Sequence, residues 1–243
     1  MNDIKKTLII SATIIIAVII FAKTFYNRAK ADDIINVTGL GQVDFESDLI
    51  TWDASYVQKD FNLEKAYSKI KNNQIIIREY LKKNSVNDKE VSFSSIDIQK
   101  EFKEEHNIEG KLIKREFDGF VLTQTVKIES TEIDKIENIS RNITELINEG
   151  IELYSNSPNY FYTKLSSLKI QLIASAAKDA KERAEQVSEN AGSVIGKIRN
   201  SNIGVFQILE RNSSEEMSWQ GAYNKNSRYK TAMVTVRVQY QLE

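Results

Sequence analysis

The residues of this chain that could perform metal or acid–base chemistry lie around its single histidine. His106 follows Glu104 and Glu105 and precedes Glu109, and an imidazole with carboxylates is a donor set that can hold a transition metal. No second donor-rich segment completes the coordination shell, and lysines stand on both sides of the cluster. The pattern therefore predicts a solvated polar turn over residues 103–111 and no metal site.

Composition excludes most other catalytic designs. The chain has no cysteine, which excludes thiolate nucleophiles, zinc–thiolate sites, iron–sulfur clusters and disulfides. A Ser-His-Asp triad would again need His106, and no G-x-S-x-G elbow is present. With 34 acidic residues, carboxylate pairs are too common to be informative. We therefore expect a protein that is not an enzyme and that uses no cofactor.

A glycine pair early in the chain is the remaining motif typical of ligand binding. Gly39-Leu40-Gly41 matches the start of a dinucleotide-binding fingerprint, but Asp44 stands at the third glycine position and a strand pattern follows where a helix should begin. The pair is therefore predicted to lie at a bend or bulge. An alternative stays open, in which the chain is a small-ligand-binding or uncharacterised enzymatic module with a cleft near Gly39–Gly41 or near Trp219.

The charge balance bears on the class of partner. The chain carries 33 Lys and Arg against 34 Asp and Glu, a net charge of −1. Non-specific binding to DNA or RNA depends on a positive field that such a chain lacks. We therefore expect no nucleic-acid partner.

An uncharged apolar run near the N-terminus is the strongest local signal. Residues 7–22 contain no charge, and continuation past Lys23, whose stem can snorkel, to Tyr26 gives about 20 residues or roughly 30 Å of helix. This length predicts a membrane anchor that enters the lipid bilayer through residues 7–26. The alternative is a cleaved signal peptide, because Ala29-Lys30-Ala31 has the small-x-small form of a cleavage site. Basic residues on both sides leave the orientation open.

The chain is thus divided into an anchor and linker over residues 1–31 and an α+β domain over residues 32–243. Apolar alternation predicts two hairpins, the first from strands at 35–45 and 50–56 and the second from strands at 96–102 and 120–128. It also predicts three single strands, within 151–162, near 203–209 and at 231–242. Helical spacing predicts helices over 62–83, capped by Asn62, and from a Ser130 or Thr131 cap to Gly150. The expected fold class is α+β, with antiparallel or mixed sheets built from hairpins and amphipathic helices packed on one face.

The longest helix predicted within the domain, about residues 163–191 before Gly192, carries a narrow stripe of mostly small residues. The stripe runs through Ile173, Ala177, Ala180, Ala184, Val187 and Ala191. Small side chains permit close approach to the helix's own sheet or to a second subunit, and both interpretations remain open. The second makes Ala177, Ala180, Ala184, Val187 and Ala191 candidate interface residues of a homo-oligomer. Trp219 and Tyr223, in a polar segment before the last strand, are further contact candidates.

Certain strings taken together resemble one family. The four features are Val37-Thr38-Gly39-Leu40-Gly41, the helical run Ala176-Ala177-Lys178-Asp179-Ala180-Lys181-Glu182-Arg183-Ala184, the Ala191-Gly192 stop and the closing alternating strand. In these features the chain resembles the SIMPL-domain family, a domain of unknown function. The likeness spans residues 34–243. It implies a bacterial cell-envelope protein, exported or anchored, with an α+β fold and a tendency to form homo-oligomers, in some members rings or channel-like assemblies.

The resemblance implies no enzyme activity and supplies no site residues. The expected location is the cell membrane, with a single pass and the domain outside the cytoplasm. The expected role is non-catalytic, through homo-oligomerisation or protein contact, with envelope stress as one setting.

Overall fold

The computed structural model describes residues 2–29, 33–214 and 218–243, with side chains in the first helix over residues 11–25. Helix α1 runs Asn2–Ala29, and its described side chains are all exposed. Among the described residues, no helix is long and apolar enough to cross a membrane. The anchor predicted over residues 7–26 is therefore helical but is not found as a membrane span. The possible cleavage site at 29–31 lies largely outside the described residues.

The first of two sheets is built around the last strand, β11 (Tyr229–Leu242). Strand β1 (Ile34–Glu46) pairs antiparallel with β11 along its whole length. Strands β8 (Ile195–Ile203) and β9 (Gln207–Glu210) share the other edge of β11, and the short β10 (Ala222–Tyr223) pairs parallel with β9. The sheet thus joins the beginning and the end of the domain.

The second sheet is centred on two long antiparallel strands. Its members are β2 (Leu49–Asp60), β3 (Val91–Phe93), β4 (Asp97–His106), β5 (Leu112–Ser130), β6 (Glu152–Ser155) and β7 (Asn159–Phe161). Strands β2 and β5 pair with each other, β3 and β4 pair with the far edge of β5, and β6 and β7 pair with the far edge of β2. All strand pairs in this sheet are antiparallel, as the sequence predicts.

Each sheet packs its helices on one face and so forms a core of its own. Helices α2 (Leu63–Lys83) and α3 (Ile133–Asn142) cover the second sheet, where Trp52, Tyr56, Ile70, Ile77 and Leu122 are buried. Helix α4 (Leu165–Asn190) covers the first sheet, against Val234, Val236, Val238 and Tyr240. The α+β class and the one-sided helices are confirmed, and the folded region contains two cores.

Helix boundaries agree closely with the sequence pattern. Asn62 caps α2, because its side chain accepts a hydrogen bond from the backbone N–H of Lys65. Gly150 has a φ of 80° at the end of a 3₁₀ continuation of α3 (Ile143–Glu149), the left-handed stop that glycine supplies. The proposed Ser130 or Thr131 cap is wrong, since Glu132 is the N-cap residue of α3 and makes no side-chain capping bond.

The first predicted hairpin is wrong. Strands β1 and β2 are separated only by Ser47 and Asp48, but β1 pairs with β11 in one sheet and β2 pairs with β5 in the other. Alternation tells which face of a strand is buried and does not identify its neighbour. The second hairpin is confirmed, and its strands reach further than expected, to His106 and from Leu112.

Each of two segments that were predicted as a single strand contains two separate strands. The segment 151–162 forms β6 and β7, on either side of Pro158, and the region near 203–209 forms β8, which begins at Ile195, and β9. The polar segment before the last strand contains β10. The final strand is confirmed, because Ala232, Val234, Val236 and Val238 are buried while Thr235 and Arg237 are exposed.

Candidate functional site

The glycine pair lies in a regular strand, not at a bend. Gly39 and Gly41 stand in unbroken register within β1, with their α-hydrogens toward α4. A Cβ on Gly39 would lie 2.1 Å from the carbonyl oxygen of Ala176, and one on Gly41 would lie 2.2 Å from that of Leu172. The glycines therefore allow the helix backbone to rest directly on the strand, and the predicted bulge is wrong.

Asp179 fastens the same contact. Its carboxylate accepts a hydrogen bond of 2.8 Å from the backbone N–H of Leu40, between the two glycines, and one of 2.9 Å from Arg183. The Leu40 hydrogen bond and Arg183 hold the pKa of Asp179 below its usual range. The two strings that carry the family resemblance thus meet in space, where they attach a helix to a strand.

This attachment accounts for the small-residue stripe on α4. The buried side chains are Leu168, Leu172, Ala176, Ala180, Ala184 and Ser188, so the stripe advances by four residues at a time. Ala180 and Ala184 have no exposed surface and pack on the chain's own sheet. Of the other candidate interface residues, Ala177, Val187 and Ala191 are exposed. Of the two interpretations, packing of the helix on its own sheet is therefore the one that holds for Ala180 and Ala184. These two residues are not accessible to a second subunit.

The opposite face of the first sheet is uncovered and forms a groove of about 660 Å³. Thr38 and Leu40, which flank Gly39, line one side, and Trp219 lines another. Trp219 is 97% exposed, and its role as a contact residue stays a prediction. The two regions proposed separately as cleft positions therefore belong to one depression, although the glycines themselves face away from it.

The groove has the chemistry of a binding surface. Leu40, Val205, Met233 and Trp219 supply apolar surface, while Thr38, Asn202, Gln207 and Thr235 supply hydrogen-bonding groups. Arg237 is the charged residue among the described lining side chains. An arginine keeps its proton in proteins, so it offers a positive charge and hydrogen bonds to an anion, not proton transfer.

Tyr223 lies at the junction of the two sheets, away from the groove. Its ring stacks on Phe161 of β7 at 6.4 Å and 24°, and the Nζ of Lys230 lies 5.4 Å from its centre. Tyr223 is half-buried, and burial raises its pKa. This residue joins parts of the chain to each other, so its predicted role as an external contact loses support.

Lys230 is a fully buried lysine at this junction, which the sequence did not single out. Its Nζ donates to the Ser47 hydroxyl at 3.1 Å and to the Tyr160 carbonyl at 2.5 Å. No carboxylate within ion-pair distance is found among the described residues, and burial lowers its pKa to about 8. The Lys230 side chain has no solvent-accessible surface. Its two hydrogen bonds connect β11 with β7 and with the link between β1 and β2.

Arg228 makes a second connection between the two halves. Its guanidinium contacts Glu46 at the end of β1 at 2.6 Å and Asp134 on α3 at 2.5 Å. These carboxylates raise its pKa further. Asp48 adds a third connection, because its carboxylate accepts hydrogen bonds of 2.7 Å from the backbone N–H and the hydroxyl of Thr163.

The cluster around His106 lies on an exposed hairpin that we call the ribbon, residues 97–120. Glu104, Glu105 and His106 belong to strand β4 and not to a turn, and only Glu109 lies in the turn. Within the described residues, no group of three or more donors is placed to hold a metal ion. Glu104 pairs instead with Arg115 across the ribbon at 3.1 Å.

The ribbon exposes apolar side chains over its whole length. Every residue of β4 is exposed, and among the described strands β4 pairs with β5 alone. The exposed large apolar side chains are Ile98, Phe102, Ile108, Leu112, Ile113 and Phe117. At its base, Phe117 contacts the rings of Phe61, Phe102 and Phe120 at 5.1 to 6.3 Å between centroids. Sequence alternation in 96–102 signalled the strand, but the polar composition of 103–106 concealed its extension.

Comparison with known proteins gives one family. A model of the SIMPL family, described as protein of unknown function (DUF541), matches residues 35–242. The match covers both sheets and all the helices of the domain. A search of curated protein sequences found no match.

Proposed function

Since the chain belongs to the SIMPL family, we propose that it is a membrane-anchored protein of the cell envelope whose domain lies outside the cytoplasm. The domain acts without catalysis, by self-association or by contact with other proteins. The family resemblance supports the envelope location, and it supports a homo-oligomer as the form in which the domain works.

The observation that carries this proposal is the ribbon. The outer strand of this hairpin is exposed on every residue, so its side chains add little buried surface to the domain's own core. Its exposed apolar side chains cost solvation free energy unless another surface covers them. A projecting arm with such side chains is typical of a protein–protein contact.

A first experiment measures the native mass of the full chain in mild detergent by light scattering. We expect a discrete multiple of 27.8 kDa. The double variant Ile108→Ser, Ile113→Ser should lower this mass, because both side chains are exposed at the end of the ribbon. Ile170→Ser on α4, at a similarly exposed isoleucine, is the matched control and should leave the mass unchanged. A monomer at all concentrations would contradict self-association and leave contact with other proteins as the mode of action.

Helix α1 supports the anchoring part. Its large side chains from Ile14 to Phe21 are apolar and more than half exposed, so the described part of the domain does not cover them. We expect the full chain to remain with membranes after alkaline washing and a chain of residues 33–243 to be released. Protease added outside intact spheroplasts should degrade the domain, whereas protection of the domain would contradict the extracytoplasmic placement.

The groove under Trp219 favours a second candidate function, binding of a small ligand with an apolar part and one negative charge. Anilinonaphthalene sulfonate has both features and accepts energy from excited tryptophan. We expect it to quench Trp219 emission, with several-fold weaker binding to Arg237→Gln. The Trp219→Phe variant keeps Trp52, which is buried in the other core, and should lose the quenching. Unchanged probe binding in both variants would eliminate the groove as its site.

A further inference from the structure

The outer edge of strand β4 is an open hydrogen-bonding edge. Strand β4 pairs with β5 on one side, and no described strand lies along the other. An edge strand presents unpaired backbone N–H and C=O groups that can accept another strand. This edge spans Asp97–His106, which is long enough for a stable added strand.

The charges on this edge distinguish one pairing register from the others. The strand reads Asp-Ile-Gln-Lys-Glu-Phe-Lys-Glu-Glu-His from residue 97. When two copies pair antiparallel about a two-fold axis at Phe102, Lys100 faces Glu104 of the second copy and Glu101 faces Lys103. Directly opposed residues of an antiparallel pair lie on the same face with their Cβ atoms about 5 Å apart, so both pairs attract.

Neighbouring registers place like charges opposite each other. A shift of one step is not available to two identical edges, because directly opposed residues must both direct their N–H and C=O groups toward the partner strand or both direct them away from it. A shift of two steps opposes Glu101 with its own copy, or Lys103 with its own copy. Of the registers shifted by up to two steps, only the one centred on Phe102 is free of like-charge pairs within the strand. Charged edge residues normally prevent edge pairing, and here they favour the register centred on Phe102 over its neighbours.

The side chains of this edge are available for the contact. Among the described residues, no ion pair is found for Lys100 or Lys103, while Glu101 already contacts Lys59 at 2.6 Å and Glu104 contacts Arg115. In the register centred on Phe102, each of these two lysines meets a carboxylate of the second copy. The Phe102 ring, 37% exposed, would contact its own copy at the axis and lose that exposure.

We propose that a second copy of this chain binds along the β4 edge in antiparallel register about Phe102, so that the second sheet continues across the pair. This inference rests on the proposed self-association and names its surface. It assigns the contact to Lys100, Glu101, Phe102, Lys103 and Glu104.

Charge reversal tests the register, because each substitution acts twice about the axis. In the full-length chain, studied in detergent, Lys103→Glu should weaken the affinity between the two copies about tenfold, because the substitution places a glutamate opposite Glu101 at two positions. Glu101→Lys should weaken it similarly. The double variant Glu101→Lys, Lys103→Glu should recover the association, because the opposite charges return with their positions exchanged. Lys197→Glu on β8, an exposed lysine in the other sheet, carries the same charge change and should have no effect.

A cysteine cross-link tests the axis independently. The chain has no cysteine, so Phe102→Cys introduces a single thiol. Opposed Cα atoms in an antiparallel pair are 4.5–5.5 Å apart, within the range of a disulfide. Mild oxidation should give a reducible species of twice the chain mass, and Gln99→Cys, which faces residue 105 and not itself, should give little.

The outcomes separate the edge from the wider proposal. If the wild-type chain is oligomeric but charge reversal leaves its mass unchanged and Phe102→Cys does not cross-link, the β4 edge is not the contact and self-association proceeds through another surface. If the wild-type chain is monomeric, the edge assignment fails together with the self-association part of the proposed function.

Discussion

At the scale of single residues, the glycines of β1 are important because they have no side chain. Gly39 and Gly41 carry no side chain where the carbonyl oxygens of Ala176 and Leu172 approach. Their neighbour Leu40 turns its side chain to the groove and its N–H to Asp179. A motif that resembles part of a nucleotide fingerprint in sequence is therefore used for packing, because close approach of two backbones requires glycine irrespective of what binds there.

Gly39→Ala tests this role. The added Cβ meets backbone atoms of Ala176 and Ala180 that cannot move without shifting α4. We expect the free energy of unfolding to fall by about 3 kcal/mol in urea denaturation. Gly196→Ala in β8 is the matched control, since its Cβ meets the flexible side chain of Glu243, and it should cost less than about 1 kcal/mol.

At the scale of elements, α4 is attached to β1 through a carboxylate whose charge can be removed by acid. The pKa of Asp179 is lowered in the folded chain, chiefly by the hydrogen bond from Leu40. Its contribution to stability is therefore complete above the unfolded pKa of about 4 and is lost as the pH falls through the folded value.

Asp179→Asn should remove that component of the acid dependence. The amide oxygen still accepts the Leu40 hydrogen bond, so at pH 7 we expect a loss of about 1 kcal/mol. Urea denaturation at several pH values between 2 and 7 should show a shallower decline for the variant than for wild type. Parallel curves would show that the Asp179 charge does not contribute to the attachment.

The elements also show what a sequence pattern can predict. Helix α2, helix α4 and the face of β11 follow from local periodicity, and they were predicted closely. The pairing of β1 with β11 joins residues about two hundred positions apart, and no local pattern encodes it. The groove was unpredictable for the same reason, because Leu40, Val205, Trp219 and Arg237 come together only after that pairing. Trp219 alone was found, through its placement in a polar segment.

The small-residue stripe shows a different limit. Spacing by three and four suggested Ala177 and Val187 as inward residues, whereas the helix buries every fourth residue from Leu168 to Ser188. The two stripes share Ala180 and Ala184, and only the position of the sheet distinguishes them. Buried Lys230 could not be predicted, because a lysine at the start of a strand is ordinarily solvated.

At the scale of the whole molecule, two cores are joined at one junction. Lys230 connects β11 with the Tyr160 carbonyl and with Ser47, and Arg228 connects β1 with α3. The junction therefore contains a buried cation whose charged form is disfavoured by burial.

Lys230→Met tests the energetic effect of this charge. The folded pKa of about 8 lies below that of the unfolded chain, about 10.4, so between these values the unfolded chain binds more protons. The free energy of unfolding of wild type should consequently rise with pH across that window, by up to about 3 kcal/mol, relative to Lys230→Met. Equal pH slopes for the two chains would show that the amine is solvated in the folded state.

The pairing of β1 with β11 also orders the events of biosynthesis. Residues 49–161 contain every strand of the second sheet, so that half can fold while the remainder is still being made. The first sheet cannot form before β11 has been synthesised, because β11 is the strand with which β1 pairs along its length. A premature stop that removes β11 would leave one half able to fold and the other exposed, which is the form of damage that quality-control proteases detect.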